Sequence, residues 1–241
     1  MTQGRDYFVQ TRQEELLAKG GWQPPRRVLA IQASHRGSRG VTNRICSALA
    51  RGMEQAGAGV ENAVLADLEF AACRGCFTCW GNKGWGKCRL DDDLTPLIES
   101  IPSYDLMLWA MPLYVDGMPG LLKNLVDRMM VLNHPAILER DGRCLHPSRP
   151  QTMPYLAVAA VCGFWGAGNF APLLAHLEAL AIDQHTPLLA FLQRPDSLGL
   201  MLAQGREAMT GVEEALVGAG RQLIERGSVD AKLRQEIAEP L

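Results

Sequence analysis

Four of the chain's seven cysteines lie within one short segment, and their spacing is typical of metal binding. Cys73, Cys76, Cys79 and Cys88 are separated by two, two and eight residues in CRGCFTCWGNKGWGKC. Three closely spaced cysteines can supply thiolates to one polynuclear metal centre, which a fourth cysteine completes. A single tetrahedral zinc ion more often uses paired CxxC segments. The pattern therefore favours a [4Fe–4S] cluster, with a structural zinc ion and metal-free thiols as the alternatives.

A second segment, ASHRGSRGVT at residues 33–42, has the residue types of a phosphate-binding loop. It offers hydroxyl groups and arginines as phosphate ligands, and its glycines allow tight backbone turns. It precedes a predicted helix, whose first N–H groups attract anions. It matches neither the P-loop pattern nor the GxGxxG dinucleotide fingerprint. The alternative is a polar connecting loop in which Thr42 caps the helix.

Two further segments could contact a flat ring. MPLYVDGMPG (111–120) presents apolar side chains beside a tyrosine, and CGFWGAGNF (162–170) contains glycines that let the backbone approach a ligand closely. Taken singly, the first could be a simple Pro/Gly turn and the second a flexible loop with core aromatics. Together with the phosphate loop, they predict a mononucleotide with a planar head group.

Each of these segments follows a predicted β-strand. Short apolar runs predict strands, and apolar residues at helical spacing predict helices, the last of which is weakened by Gly211, Gly218 and Gly220. Cys46 falls on the apolar face of the first helix. Alternating strands and helices form a parallel sheet covered on both faces, and its ligands bind beyond the carboxyl ends of the strands. The strands are expected at 27–33, 60–66, 105–111, 155–161 and 187–193, and the helices at 42–57, 92–101, 119–131, 171–182 and 206–226.

Composition and cysteine count argue against several classes of protein. The chain has 241 residues, with 24 Lys and Arg against 26 Asp and Glu, and 47% of it is hydrophobic. A balance so close to neutral argues against a nucleic-acid-binding protein, and no apolar run is long enough to cross a membrane. An odd, clustered cysteine count argues against a disulfide framework and predicts a reducing cytoplasm. The three acids Asp91–Asp93 are interpreted as a solvated helix cap.

The motifs resemble a known family when they are taken together. ASHRGSRGVT, CRGCFTCW…GKCRLDDD, MPLYVDGMPGLLKNLVDR and AVCGFWGAGNF are similar, in order and spacing, to the flavodoxin-like NAD(P)H-dependent FMN reductases and, within them, to the iron–sulfur flavoproteins. The resemblance spans about residues 27–182. It implies an α/β fold with a doubly wound five-stranded parallel sheet of order 2-1-3-4-5. We expect an N-terminal extension at 1–26, an FMN-binding domain at 27–200 and a C-terminal helical segment at 201–241.

The resemblance also implies which residues contact the cofactor. The FMN phosphate would be bound by the first loop, and the isoalloxazine ring would lie between the second and third loops. The phosphate residues are Ser34, Arg36, Gly40, Val41 and Thr42, and the ring residues are Pro112, Leu113, Tyr114 and Val115, with Cys162, Gly163 and Gly166 on another edge.

The function implied is that of an oxidoreductase. Electrons would pass from NAD(P)H through FMN, with the four cysteines holding a [4Fe–4S] cluster, to a quinone, a nitroaromatic or a redox-protein acceptor. Because flavin carries this chemistry itself, no catalytic side chain is predicted. Family members are commonly dimers or tetramers, so we expect a homodimer or homotetramer. The alternatives are an electron carrier without its own nicotinamide site and a zinc-stabilised flavodoxin-like binding module.

Overall fold

The computed structural model describes residues 22–82, 84–140, 142–201 and 205–240, so most of the predicted N-terminal extension lies outside it. The strands are β1 (Arg27–Gln32), β2 (Gly59–Val64), β3 (Leu106–Pro112), β4 (Leu138–Arg140), β5 (Arg143–Leu145), β6 (Tyr155–Val161) and β7 (Leu188–Arg194). The helices are α1 (Val41–Gln55), α2 (Leu94–Ser100), α3 (Gly120–Arg128), α4 (Ala171–Asp183), α5 (Gly205–Arg226) and α6 (Ala231–Ala238). None of these described helices is long and apolar enough to cross a lipid bilayer.

Five of the strands form one parallel sheet in the order β2-β1-β3-β6-β7. With the two short strands β4 and β5 set aside, this is the predicted order 2-1-3-4-5, and the doubly wound α/β fold is confirmed. Strands β4 and β5 pair only with each other, as a small antiparallel hairpin. Sequence reasoning missed this hairpin because strands of three residues are too short to show a periodic pattern.

Each central strand is apolar on both sides because helices cover both faces of the sheet. In β1, Val28 and Ala30 join a core formed with α1, α5 and α6, whereas Leu29 and Ile31 join a second core formed with α2, α3 and α4. All four side chains are at most 1% exposed. Burying a side chain such as Leu29 contributes about 2 kcal/mol, so both faces of the sheet drive folding.

Helices α1 and α5 pack backbone against backbone through two glycines. A β-carbon at Gly52 would lie 2.0 Å from the carbonyl oxygen of Val217, and one at Gly220 would lie 2.1 Å from that of Leu49. Gly220 is therefore a packing site and not the weakness that the sequence suggested. Nearby, burial raises the pKa of the Cys46 thiol to about 12, as expected for the predicted core position.

The long connection between β2 and α2, residues 65–93, contains the four cysteines and is tied to α3 by an ion pair. Arg128, the last residue of α3, is 1% exposed, and its Nη1 lies 2.5 Å from Oδ1 and 2.6 Å from Oδ2 of Asp92. Partial burial opposes ionisation of Asp92, but the hydrogen bonds that it accepts and the charge of Arg128 outweigh this and lower its pKa.

Asp93, the next residue, bonds to the first part of the same connection. Asp93 accepts a hydrogen bond at 2.7 Å from the backbone N–H of Glu69. The interpretation of Asp91–Asp93 as a solvated cap is therefore wrong for Asp92, whose carboxylate is partly buried against Arg128. Asp93 is exposed at the N-cap position of α2, but its carboxylate bonds the N–H of Glu69 and makes no cap hydrogen bond.

Replacing either packing glycine with alanine should destabilise the protein. In Gly220→Ala or Gly52→Ala, a helix-propensity gain of about 1 kcal/mol is outweighed by an overpacking cost of about 3 kcal/mol. Urea unfolding measures the difference. The control is Gly211→Ala, at an α5 position with no atom within 4 Å of the new β-carbon, which should stabilise the protein by about 0.5–1 kcal/mol. Equal effects at the three positions would contradict the close packing.

Asp92→Asn should lower the free energy of unfolding by about 2 kcal/mol at neutral pH, because an amide bonds a buried guanidinium more weakly than a carboxylate does. The pKa of Asp92 is depressed in the folded chain. The wild type is therefore more stable than Asp92→Asn by the full amount at any pH above the unfolded-state pKa of about 3.9. This difference in stability is lost as the pH falls through the depressed pKa.

Urea unfolding at several pH values should show the two proteins converging in acid. Asp183→Asn, in an ion pair whose side chains are 44% exposed, serves as the control and should change little. A difference between wild type and Asp92→Asn that stays constant down to about pH 3 would contradict the role of the ion pair.

Candidate functional site

The three loops singled out by sequence leave the sheet side by side at its C-terminal edge. The backbone N–H of Ala33 donates to Ala110 O at 2.9 Å, and that of Leu113 donates to Val161 O at 2.7 Å. These bonds extend the sheet pairing just beyond β1 and β3, so the loops that follow β1, β3 and β6 begin next to one another. The predicted convergence of the three loops is therefore observed.

Gln32, which sequence reasoning missed, shapes the first loop. Its buried side chain donates from Nε2 to Gly37 O at 3.0 Å and accepts at Oε1 from the N–H of Ser34 at 3.3 Å. Gly37 has a φ of +55°, a left-handed conformation that glycine adopts without strain. The Ser34 hydroxyl oxygen accepts from the N–H of Arg36 at 3.2 Å. The only sequence signal for Gln32 is a polar residue at the end of an apolar strand.

The first loop leads into a helix start without a side-chain cap. Helix α1 begins at Val41, and Gly40 occupies the N-cap position in an extended conformation. Thr42 is the second residue of the helix, two positions after the N-cap, so it does not cap the helix as predicted, and it is buried. The first N–H groups of a helix have no intrahelical partner, and they carry a partial positive charge. The arrangement is suited to an anion.

Gly40 also brings the helix start close to the loop. A β-carbon at this position would lie 3.2 Å from the Arg36 β-carbon and 3.5 Å from the Ser34 Oγ. The loop hydroxyl and the helix start therefore lie close together, with Arg36 beside them. The donor set of hydroxyls, backbone N–H groups and guanidinium is the chemistry that a phosphate needs.

The second loop contains a tight turn at Tyr114–Gly117. Tyr114 and Gly117 exchange two backbone hydrogen bonds of 3.1 Å, and the central residues Val115 and Asp116 have φ values of 47° and 59°. Both central positions are thus left-handed, which is unfavourable for a β-branched valine. Strain of this kind is concentrated at functional sites. The Val115 side chain is fully exposed, whereas Pro112 is buried in β3.

The third loop presents two large aromatic side chains to solvent. Phe164 and Trp165 are 67% and 74% exposed, whereas Cys162 is buried and its Sγ accepts from the N–H of Phe164 at 3.4 Å. Gly163 lies against Leu198, because a β-carbon there would be 3.1 Å from Leu198 Cδ1. The predicted ring residues thus comprise buried Pro112 and Cys162, half-buried Leu113, Gly163 and Gly166, and exposed Tyr114 and Val115.

The four clustered cysteines line one small cavity at the end of α3. Cys73 and Cys76 are exposed and Cys79 and Cys88 half-buried, and the other lining residues include the arginines Arg74, Arg89 and Arg128. The Thr78 hydroxyl donates to Cys76 Sγ at 3.4 Å and lowers the pKa of that thiol. Burial raises the pKa of Cys79.

The thiols are not gathered tightly enough for a single metal ion. Within the part of the chain that the structure describes, no group of three or more His, Cys, Asp or Glu side chains could hold one ion. A zinc ion bonds each thiolate at about 2.3 Å, so its four ligands would have to draw together. The structure therefore brings the predicted cysteines to one cavity without forming a tetrahedral site.

The tip of the cysteine loop is held by residues from the segment that joins α3 to β6. Trp80 donates from Nε1 to Asn133 O at 3.0 Å, and Arg149 donates from Nη2 to Cys79 O at 3.2 Å. The Arg149 guanidinium also stacks on the Trp85 ring, 4.0 Å from its centroid. Sequence reasoning missed these contacts because they join positions about 50 to 70 residues apart.

Comparisons with known proteins bear on this geometry. The family of NADPH-dependent FMN reductases matches at residues 26–182. An iron–sulfur flavoprotein from Methanocaldococcus jannaschii is 31% identical over 102 residues, which are 42% of this chain and 51% of that protein. Another from Archaeoglobus fulgidus is 33% identical over 64 residues, 27% of this chain and 30% of that protein. The matched part of the chain thus spans about half or less of these relatives.

Solved structures agree on the fold. An FMN-dependent NADH-azoreductase from Bacillus anthracis in complex with FMN has a TM-score of 0.61 at 12% identity, covering 83% of this chain and all of that one. An NAD(P)H:quinone oxidoreductase from Methanothermobacter marburgensis has a TM-score of 0.56 at 16% identity, covering 83% and 96%. At these identities the likeness shows the flavodoxin-like fold. Because the family match covers more than half of the chain and contains all three loops, this protein belongs to the NADPH-dependent FMN reductase family.

Proposed function

We propose that this chain is an FMN-dependent oxidoreductase that takes electrons from NAD(P)H. The observation that carries the proposal is the meeting of three loops at one sheet edge, beside a helix start that no side chain caps. One loop offers phosphate ligands, and the other two offer apolar and backbone surfaces for a ring. Family membership supports FMN as the ligand of this edge.

The phosphate is assigned to Ser34, Arg36, Gly40, Val41 and Thr42. The N–H groups at the start of α1 would donate to phosphate oxygens, and the helix dipole favours the negative charge. Arg36 would add a charge-assisted hydrogen bond. Gln32 acts indirectly, because it fixes the loop from which the Ser34 hydroxyl projects.

The ring is assigned to the second and third loops. Pro112, Leu113, Tyr114 and Val115 would form one side of the ring site, and Cys162, Gly163 and Gly166 another edge. The left-handed turn that holds Val115 fully exposed supports this assignment, because an apolar ligand at Val115 would offset the strain of its backbone.

The residues of this site would bind and orient FMN, and none of them has to transfer a proton. When bound, FMN supplies hydride acceptance and electron transfer. The backbone of the loops and the apolar side chains around Tyr114 would keep water from the ring and leave one face open to a nicotinamide. Small acceptors such as quinones or nitroaromatics, or a redox protein, would use the same opening.

We further propose that Cys73, Cys76, Cys79 and Cys88 hold a [4Fe–4S] cluster. In such a cluster each thiolate bonds a different iron atom, and all four thiols line one cavity here. Arg74 and Arg89 line the cavity beside the thiols, whereas the charge of Arg128 is paired with Asp92. Two cationic side chains on the wall suit a centre that is held by anionic thiolates. The iron–sulfur flavoprotein relatives support the same assignment.

Exposed apolar side chains at the sheet edge support an oligomer. Val115, Phe164, Trp165 and Leu198 are between 59% and 100% exposed. Large apolar side chains exposed to this degree are typical of an interface. We propose that a homodimer or homotetramer covers it.

Anaerobic purification tests the proposal directly. We expect bound flavin, iron and sulfide, together with steady NADH or NADPH consumption when a quinone or nitroaromatic is added. Flavin that is reduced only by a second protein would identify an electron carrier instead. A protein that retains no flavin after incubation with FMN would contradict the proposed function.

Arg36→Ala should weaken FMN binding by about 2 kcal/mol, because it removes a charge-assisted phosphate contact. Fluorescence titration measures the expected change, which is about thirtyfold in Kd. Arg39→Ala removes the same charge from the same loop and should have a much smaller effect. Equal losses in the two variants would indicate that only the overall charge of the loop matters.

Cys76→Ser combined with Cys79→Ser should remove the iron and sulfide and leave FMN bound. Serine is a poor ligand for an iron–sulfur cluster, whereas the sheet edge keeps all of its flavin contacts. Iron, sulfide and flavin counts on the same preparation provide the measurement, and Cys144→Ser is the control. Zinc without sulfide in the wild type would contradict the cluster.

A further inference from the structure

The guanidinium of Arg128 contacts both ends of the four-cysteine segment. Nη1 lies 3.4 Å from the carbonyl oxygen of Ala71, two residues before Cys73, and Nη2 lies 3.3 Å from that of Leu90, two residues after Cys88. Nη2 also donates to Thr95 Oγ1 at 3.2 Å. A single buried group therefore fixes where the segment leaves and rejoins the body of the protein.

The carboxylate of Asp92 also bonds to the start of the four-cysteine segment. Besides its ion pair with Arg128, its carboxylate accepts hydrogen bonds from the N–H of Ala71 at 3.1 Å and from that of Leu94 at 3.2 Å. The two residues thus form a clamp, Arg128–Asp92, that holds Ala71 and Leu90 together at the base of the loop.

The clamp is attached to the core through helix α3, which ends at Arg128. Helix α3 is anchored in the core by Leu122, Leu125 and Val126, all buried. It begins just after the proposed ring loop and, at nine residues, runs for about 13 Å. It ends at the wall of the cysteine cavity. The helix therefore sets the position of the cysteine loop relative to the sheet edge.

The stability of the folded protein does not by itself account for a buried arginine at position 128. Removing a guanidinium from water is costly, and a buried ion pair can usually be replaced by apolar residues with no loss of stability. Arg128 also makes no contact with the sheet edge in any of its hydrogen bonds. What its hydrogen bonds have in common is that they converge on the ends of the cysteine segment and the start of α2.

We propose that Arg128 is a positioning residue whose clamp keeps the four thiols facing one cavity, and so determines how tightly the loop holds a thiolate-bound metal centre. It is not itself a ligand. The inference rests on the proposed metal-binding role of the four cysteines. Groups that orient metal ligands typically change metal affinity by about 10- to 100-fold when they are removed.

The decisive variant is the double substitution Arg128→Met with Asp92→Leu. It removes the clamp but leaves no unpaired buried charge, so overall stability and FMN binding should remain near wild type. The control, Arg143→Met with Asp183→Leu, removes an exposed ion pair of the same residue types from the β5 strand and α4.

Three readouts are needed. Hydrogen exchange of the Ala71 amide, which donates to Asp92, should become faster, whereas that of Glu69, which donates to Asp93, should change less. Cd²⁺ titration of metal-free protein, followed by thiolate–Cd²⁺ absorption, should show binding weakened by about tenfold. After anaerobic reconstitution, iron should be lost to a chelator about tenfold faster than in the wild type.

The outcomes distinguish failure of the clamp proposal from failure of the cluster proposal. If the double variant is as stable as the wild type and also binds Cd²⁺ and keeps iron equally well, the clamp proposal is overturned and the cluster stands. If the wild type takes up no iron or sulfide, the cluster proposal fails, and the clamp is judged by Cd²⁺ affinity and exchange alone. Unchanged Ala71 exchange in the double variant would also overturn the clamp.

Discussion

The C-terminal edge of the parallel sheet is the constraint on which the rest of this structure depends. Parallel strands that are covered on both faces have to end together, so every loop that follows a strand begins at the same edge. Here the hydrogen bonds from Ala33 to Ala110 and from Leu113 to Val161 continue the pairing into the loops. The chain then needs only short segments to gather hydroxyls, an arginine, an uncapped helix start and apolar side chains around one point.

The periodic part of this arrangement is predictable from sequence. Runs such as Tyr155–Val161 specify buried strands through apolar content alone, and strand–helix alternation fixes the sheet class and the edge at which ligands bind. The positions of the three loops follow from these rules. The clustering of four cysteines is also visible in the spacing, without any knowledge of the fold.

Contacts between distant positions were not predictable. Gln32 is an unremarkable polar residue until its amide is seen to bond both Ser34 and Gly37. Asp92 has the sequence context of a helix cap, but its carboxylate is bound by an arginine 36 positions later. Arg149 lies in a segment with no periodicity, yet it supports the cysteine loop at Cys79. Such contacts depend on tertiary geometry, which local patterns do not encode.

The proposed binding of FMN across the three loops at the sheet edge can be tested on the whole chain. The most direct measurement is hydrogen exchange of the whole chain with and without FMN. We expect protection at residues 33–42, 112–117 and 162–166, and little change at the opposite edge, around residues 24–26 and 151–154. Protection confined to other segments, or an exchange pattern that FMN leaves unchanged, would contradict the claim.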